Sequence, residues 1–115
     1  MIYIIEDDEL MADCIAMACK GYDVKIFPDA LTAMDAVTEQ IPDIIFLDVL
    51  LVGPDGFTFL NELVSYDETA KIPIVIISSL DFAHQDLSIY GVVGTLDKST
   101  MLPEDIRNYV KRYSH

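Results

Sequence analysis

Short apolar runs recur five times along the chain, at about residues 2–6, 23–27, 43–48, 73–78 and 92–97. β-Branched and aromatic residues dominate these runs and polar residues bound them, which is typical of strands buried on both faces of a parallel sheet. Between the runs, apolar residues recur at helical spacing. This alternation predicts an α/β protein, a doubly wound (βα)5 arrangement with helices on both faces of a five-stranded parallel sheet.

Five helices are predicted between and after the strands. Asp8 and Asp29 can cap the first two, Gly56 precedes the third, a partial apolar stripe indicates a fourth at about 81–90, and the last spans about 103–113. The residues predicted to face the core in the first three helices are Leu10, Cys14, Met17 and Ala18, then Leu31, Met34, Val37 and Ile41, then Phe57, Leu60, Leu63 and Val64.

Acidic residues follow two strands that are predicted to be neighbours. Right-handed crossovers leave few arrangements for five parallel strands, and the order 2-1-3-4-5 is common at this size. In that order the ligand-binding crevice lies at the carboxyl ends of strands 1 and 3. Glu6, Asp7 and Asp8 follow strand 1, and Asp48 closes strand 3. Because crowded carboxylates repel one another unless a cation or a proton intervenes, the sequence predicts a cation-dependent site here.

Length and charge narrow the classes of protein. The chain has 115 residues, and we expect residues 1–115 to form one domain with a single core. Its 20 acidic and 7 basic residues give a net charge of −13. Nucleic acids and anionic membranes are bound through Lys and Arg, so we expect this segment to bind neither directly.

The N-terminal stretch and the cysteines indicate a cytoplasmic protein. Glu6 interrupts the first apolar run too early for a secretory signal, and no apolar run approaches the roughly 20 residues of a membrane span. Cys14 and Cys19 have neither CxxC spacing nor a histidine at metal-binding distance along the chain. We interpret both as reduced cysteines in the core of a cytosolic domain.

The residues at the strand ends have complementary chemistry. Glu6, Asp7 and Asp48 offer the hard oxygen ligands that Mg²⁺ prefers. Asp48 is also a candidate nucleophile, since a carboxylate can form an acyl phosphate. The hydroxyl of Ser78, or of the serine after it, can donate to a phosphoryl oxygen, and Lys98 can pair with Asp48 at rest. Together these groups predict a phosphoryl-transfer site.

Four motifs in order resemble the receiver domain of two-component response regulators over essentially the whole chain. IIEDDEL at 4–10 resembles the acidic motif of the first strand, and LDVLLVGPDG at 47–56 resembles the phosphoacceptor strand and its loop. PIVIISS at 73–79 resembles the fourth strand, and GTLDKS at 94–99 the fifth strand with its lysine. The resemblance implies a flavodoxin-like fold.

The resemblance also implies a role for each site residue. It makes Asp48 the phosphoacceptor, assisted by Ser78 and Lys98. It implies that Mg²⁺ is the cofactor, held by Glu6, Asp7, Asp48 and the backbone carbonyl of Leu50. The expected partners are a histidine kinase or histidine phosphotransfer protein and a downstream effector or output domain, and a phosphorylation-dependent homodimer is compatible with the family. The chain would assist its own phosphorylation and dephosphorylation without being an enzyme in the usual sense.

Departures from the family pattern leave several points open. Thr95 stands where many members carry the Tyr or Phe that relays the signal, so a non-switching, receiver-like interaction module is the second hypothesis. Ser99 follows Lys98 where many members have a proline, which leaves both a trans bond and a strained cis bond open. An aspartate-nucleophile phosphatase is less favoured, because Leu50 stands where that chemistry places a second Asp. Flavin binding is disfavoured by acids after strand 1, which would repel a phosphate.

Overall fold

Five parallel strands form one sheet in the order β2-β1-β3-β4-β5, as predicted. The computed structural model describes residues 1–48, 54–79 and 87–114, the side chains of 54–57 excepted. The strands are β1 (Ile2–Ile5), β2 (Val24–Phe27), β3 (Ile44–Asp48), β4 (Ile74–Ser78) and β5 (Val92–Asp97). The register pairs Ile5 with Leu47 and Asp48 with Ile77, so the ends of β1, β3 and β4 are level.

Helices connect the strands and cover the sheet. Within the described residues the helices are α1 (Glu9–Ala18), α2 (Ala30–Glu39), α3 (Pro54–Val64), the short α4 (Asp67–Ala70) and α5 (Pro103–Tyr113), with a 3₁₀ turn at Ser88–Tyr90. The Asp8 carboxylate accepts hydrogen bonds from the backbone N–H groups of Leu10 and Met11, and Asp29 accepts one from Thr32. No helix in the described part of the chain is long and apolar enough to cross a bilayer.

Strand residues alternate between two apolar clusters, one on each face of the sheet. Odd-numbered residues of β1 and β3, such as Ile5 and Leu47, pack with α2 and α3. Even-numbered residues, such as Ile4 and Phe46, pack with α1 and α5. Because both faces are covered, the central strands β1, β3 and β4 are continuous apolar runs, whereas exposure alternates along the edge strand β5.

Of the four residues predicted to face inward from α1, only Ala18 is buried. Leu10 is 78% exposed and Met17 76% exposed, and Cys14 is exposed as well, whereas the buried residues of the helix are Ala12, Ile15 and Ala18. Both sets have helical spacing and share Ala18, but their other members lie on different sides of the helix. The small side chains of the alanines let the backbone approach the sheet closely, so burial follows shape rather than the largest apolar residues.

The other helices confirm the predicted faces in part. In α2, Val37 is buried and Met34 packs against the core, but Leu31 is 78% exposed and Ile41 lies beyond the helix end, 47% exposed. In α3, Leu60 and Leu63 are buried and Val64 is half-buried, and the buried Phe59 was missed.

Four further predictions concern helix bounds and the cysteines. The third helix begins at Pro54, before the predicted Gly56, and the fifth spans 103–113 as predicted. Phe57 and residues 81–86 of the predicted fourth helix lie outside the described residues and side chains. Cys19 is buried as expected, but the assignment of Cys14 to the core is wrong.

Candidate functional site

Period-two alternation brings three charged side chains to the same side of the sheet. Glu6 lies two residues after Ile4, and Asp48 lies two residues after Phe46. Both apolar residues belong to the cluster under α1 and α5, which also contacts Leu96, two residues before Lys98. Because side chains two apart along an extended chain point to one face, the two acids and the lysine project together at the carboxyl edge.

Lys98 joins the two buried acids in one network. Its Nζ lies 2.8 Å from Oδ2 of Asp48, and 3.0 Å and 3.2 Å from Oε1 and Oε2 of Glu6. A single ammonium group therefore contacts two acids, Asp48 and Glu6, that lie 50 and 92 residues before it in the sequence. The geometric expectation that Lys98 meets Asp48 is confirmed, while the additional pairing with Glu6 was not predicted.

Burial sets the electrostatics of this network. Glu6 is 2% exposed and Asp48 4% exposed, so neither carboxylate is well hydrated. Burial and, after it, the hydrogen bond and charge of Asp48 together raise the pKa of Glu6 to about 7, against the opposing effect of Lys98. Burial alone would lower the pKa of Lys98, but the carboxylates of Asp48 and Glu6 outweigh it and hold that pKa above its ordinary value. The cluster is therefore short of positive charge.

Asp7 completes a group of three acids. One carboxylate oxygen from each of Glu6, Asp7 and Asp48 lies within 4.8 Å of the others. Opposite ligands of one Mg²⁺ ion are separated by about 4.2 Å, twice the metal–oxygen distance, so this spacing fits a single ion after small adjustments. A cavity of about 360 Å³ opens beside Glu6 and Asp7, lined also by Glu9, Ala12, Asp13, Ile26 and Pro28. The donor set and its access are those of a hard-cation site.

The remaining predicted site residues are placed as follows. Ser78 ends β4 next to the acids, is 1% exposed, and its backbone carbonyl accepts a hydrogen bond of 3.1 Å from the Lys98 N–H group. Ser79 is exposed. Leu50 lies outside the described residues, so its backbone carbonyl stays a predicted ligand. Thr95 is exposed on β5, and the Lys98–Ser99 peptide bond is trans.

Glu6 gives the metal-free protein a characteristic dependence on pH. Its folded pKa of about 7 lies above the ordinary value of 4.5, so the unfolded chain loses this proton first. The Glu6 contribution to stability is therefore most favourable below about pH 4.5 and is lost as the pH rises through about 7. A shift of this size corresponds to at most about 3 kcal/mol.

Urea unfolding in the presence of a chelator, repeated across this pH range, measures that contribution. We expect Glu6→Gln to be less destabilised than the wild type as the pH rises, whereas Glu62→Gln, a change of an exposed helix residue, keeps the wild-type profile. Parallel profiles for Glu6→Gln and the wild type would contradict the assignment of this pH dependence to Glu6.

One functional contact escaped the sequence reasoning. The acids were treated as metal ligands and Lys98 as the partner of Asp48, so the pairing of Lys98 with Glu6 was overlooked. The sequence did contain a signal for this contact. Glu6, Asp48 and Lys98 each lie two residues after a residue that belongs to, or packs against, the same apolar cluster, so strand alternation places their side chains on one face.

The fold and this strand-end cluster define a class of protein, and the comparisons agree. The chain matches the family described as response regulator receiver domain over residues 2–111, and it belongs to that family. The resemblance inferred from the four motifs is confirmed.

Individual relatives extend this assignment. The chain is 33% identical over 113 residues to the DNA-binding dual master transcriptional regulator RpaA of Synechocystis sp.. The match covers 96% of this chain and 46% of RpaA, so the chain spans less than half the length of that relative.

Two solved structures match the fold. The receiver domain of NtrX from Brucella abortus has a TM-score of 0.82 at 23% identity, over 98% of this chain and 97% of that one. The receiver domain of the sensor histidine kinase PA1611 from Pseudomonas aeruginosa PAO1, with a magnesium ion coordinated in its active site cleft, has a TM-score of 0.81 at 21% identity. That match covers 97% of this chain and 94% of the PA1611 domain.

Proposed function

We propose that Asp48 accepts a phosphoryl group from a phosphohistidine of a sensor kinase or a histidine phosphotransfer protein, in a reaction that requires Mg²⁺. The observation that carries this proposal is the 2.8 Å contact between Lys98 Nζ and Asp48 Oδ2, inside a buried cluster of acids. A lone carboxylate at a strand end would be a turn residue. A buried carboxylate held by a lysine beside two further acids is suited to phosphoryl transfer.

The step forms one bond and breaks one. A carboxylate oxygen of Asp48 attacks phosphorus, the N–P bond of the phosphohistidine breaks, and the imidazole leaves with the electron pair and takes up a proton. The product is an acyl phosphate on Asp48. Because the Lys98 ammonium already contacts Asp48, it is placed to pair with an oxygen of the transferred group, and the Ser78 hydroxyl is assigned to a second.

Glu6, Asp7 and Asp48 would hold the magnesium ion, with the Leu50 carbonyl as a further ligand. When bound, the ion supplies positive charge that neutralises the acids and the incoming phosphoryl oxygens. The magnesium ion of the PA1611 domain supports this choice of metal. The spacing of the three acids supports it independently.

The proposed output is carried by a partner or by a further domain. RpaA, of which the chain spans 46%, is a DNA-binding regulator, and this supports an output module joined to the phosphorylated segment or acting with it. With a net charge of −13, the segment itself is not suited to bind DNA. A cytoplasmic location fits a kinase-dependent role of this kind.

Acetyl phosphate tests the chemistry without knowledge of the kinase. We expect the chain to gain the mass of one phosphoryl group in the presence of Mg²⁺ and none in the presence of a chelator. Reduction of the acyl phosphate with borohydride before proteolysis marks the modified residue, which peptide mass spectrometry should identify as Asp48. A chain that takes up no phosphoryl group under either condition would instead be the non-switching interaction module.

A further inference from the structure

Lys98 is fixed to the sheet on one side of its position in the chain. Its backbone N–H group donates a 3.1 Å hydrogen bond to the carbonyl of Ser78, where β4 and β5 end side by side. Its side chain runs from there to Asp48 and Glu6 and is 19% exposed. A lysine side chain is long and flexible, so the position of its ammonium depends on how firmly the backbone beside it is held.

Asp97 fixes the chain on the other side of Lys98. Oδ1 of Asp97 accepts a 2.8 Å hydrogen bond from the Ser99 N–H group and a 2.6 Å hydrogen bond from the Ser99 hydroxyl. The Asp97 carbonyl accepts two more, from the N–H groups of Thr100 at 3.1 Å and Met101 at 2.8 Å. One residue thus organises the turn between β5 and α5, and Lys98 lies inside that turn.

The Asp97 carboxylate itself lies outside the cluster of acids. It is exposed, and strand alternation places it on the opposite face of the chain from the Lys98 side chain. Hydrogen bonds from Ser99 hold the pKa of Asp97 below its ordinary value, so the carboxylate is ionised at neutral pH. A proline at position 99 would restrict this turn through its ring, whereas serine does not, so the restraint has to come from the hydrogen bonds to Asp97.

We propose that Asp97 is a positioning residue, which acts through its turn with Ser99 to hold the Lys98 ammonium at the cluster of acids. This inference rests on the proposed function, because it concerns the lysine of the same site. In this role Asp97 touches neither the acceptor carboxylate nor the transferred group, and it only limits rotation of the backbone that carries Lys98. Because the lysine side chain is long, a small rotation at its Cα is magnified at Nζ, and the 2.8 Å contact with Asp48 is lost when the turn loosens.

The initial rate of phosphorylation by acetyl phosphate, at saturating Mg²⁺, tests the role of Asp97 in the reaction. We expect Asp97→Ala to lower this rate about tenfold, because misplacement of a reacting group by about 1 Å can cost about a hundredfold. Asp97→Asn keeps an oxygen that can accept both hydrogen bonds from Ser99, so it should recover most of the rate. Equal losses in the two variants, or no loss in Asp97→Ala, overturn the proposal.

Asp29→Ala is the matched control for Asp97→Ala. The exposed Asp29 carboxylate also accepts a hydrogen bond from a backbone N–H group, that of Thr32 at 2.7 Å. It caps α2 after β2, however, and β2 is the edge strand farthest from β5. Its removal should lower stability through loss of the cap and leave the initial rate at the wild-type level. A similar loss of rate in both alanine variants would assign the effect to stability and overturn the proposal.

Urea unfolding of the metal-free chain at one pH tests the same positioning without phosphorylation. Asp97→Ala should lower the urea midpoint less on a Glu6→Gln/Lys98→Met background than on the wild-type background, because the former has no ammonium to position. That background lacks one buried charge of each sign, which keeps the comparison usable where Lys98→Met alone would not fold. Asp29→Ala should lower the midpoint equally on both backgrounds. Equal shifts for Asp97→Ala on both backgrounds overturn the positioning role.

The two readouts separate this inference from the proposed function. If acetyl phosphate never modifies the wild type, the phosphoacceptor proposal fails, and the urea midpoints alone decide whether Asp97 positions Lys98. If Asp48 is phosphorylated at the same rate in the wild type and in Asp97→Ala, the phosphoacceptor proposal stands and the positioning role fails.

Discussion

Asp48→Asn is expected to abolish phosphorylation of the chain by acetyl phosphate in the presence of Mg²⁺. The amide of Asn is a far weaker nucleophile than a carboxylate and cannot form the acyl phosphate. Asp48 also ends β3 with 4% exposure and direct contact with Lys98, a combination that no other described Asp shares. Intact mass spectrometry should show full loss of the phosphoryl increment in this variant.

Asp35→Asn is the matched control for that experiment. It makes the same chemical change at an exposed position of α2, away from the strand ends, and should leave the phosphorylated fraction at the wild-type level. Circular dichroism should show that both variants keep the fold. Phosphorylation of Asp48→Asn at Asp7 or Glu6 would mean that the cluster has another acceptor and that the role given to Asp48 is wrong.

The sheet was predictable because its signal is local. The three central strands are runs of residues such as Ile2 to Ile5 that are buried on both sides, and no helix among the described residues has that pattern. Strand order followed from the handedness of crossovers, which excludes most alternatives. The place of the site followed in turn, because parallel strands bring their carboxyl ends, and therefore Asp48 and the acids after β1, to one edge.

The helix faces were less predictable because burial there depends on partners that the sequence does not name. In α1 two apolar sets have equally good spacing, and the set with Ile15 and small alanines faces the sheet while Leu10 and Met17 face outward. The Glu6–Lys98 contact was hard to predict for the same reason. Residue types and strand ends bring the two groups near each other, but only the side-chain geometry shows that the ammonium contacts Glu6 as well as Asp48.

Lys98→Met is expected to lower the free energy of unfolding of the metal-free protein by about 3–5 kcal/mol above neutral pH, because two buried carboxylates lose the ammonium group that contacts both of them. A domain of this size has a total stability of about 5–15 kcal/mol, so the loss should be evident in urea unfolding followed by circular dichroism. The loss should be smaller below the Glu6 pKa of about 7, where a proton replaces the missing positive charge.

Two companion variants show whether this destabilisation comes from unpaired charge. Adding Glu6→Gln to Lys98→Met removes one of the stranded carboxylates and should recover a large part of the lost stability, so the two changes are strongly non-additive. Lys71→Met, at an exposed position, should change stability by no more than about 0.5 kcal/mol. Simple additivity of the Glu6 and Lys98 changes would mean that the lysine stabilises the fold through its packed methylene chain, because a hydrophobic contact, unlike an ion pair, does not depend on the charge of Glu6.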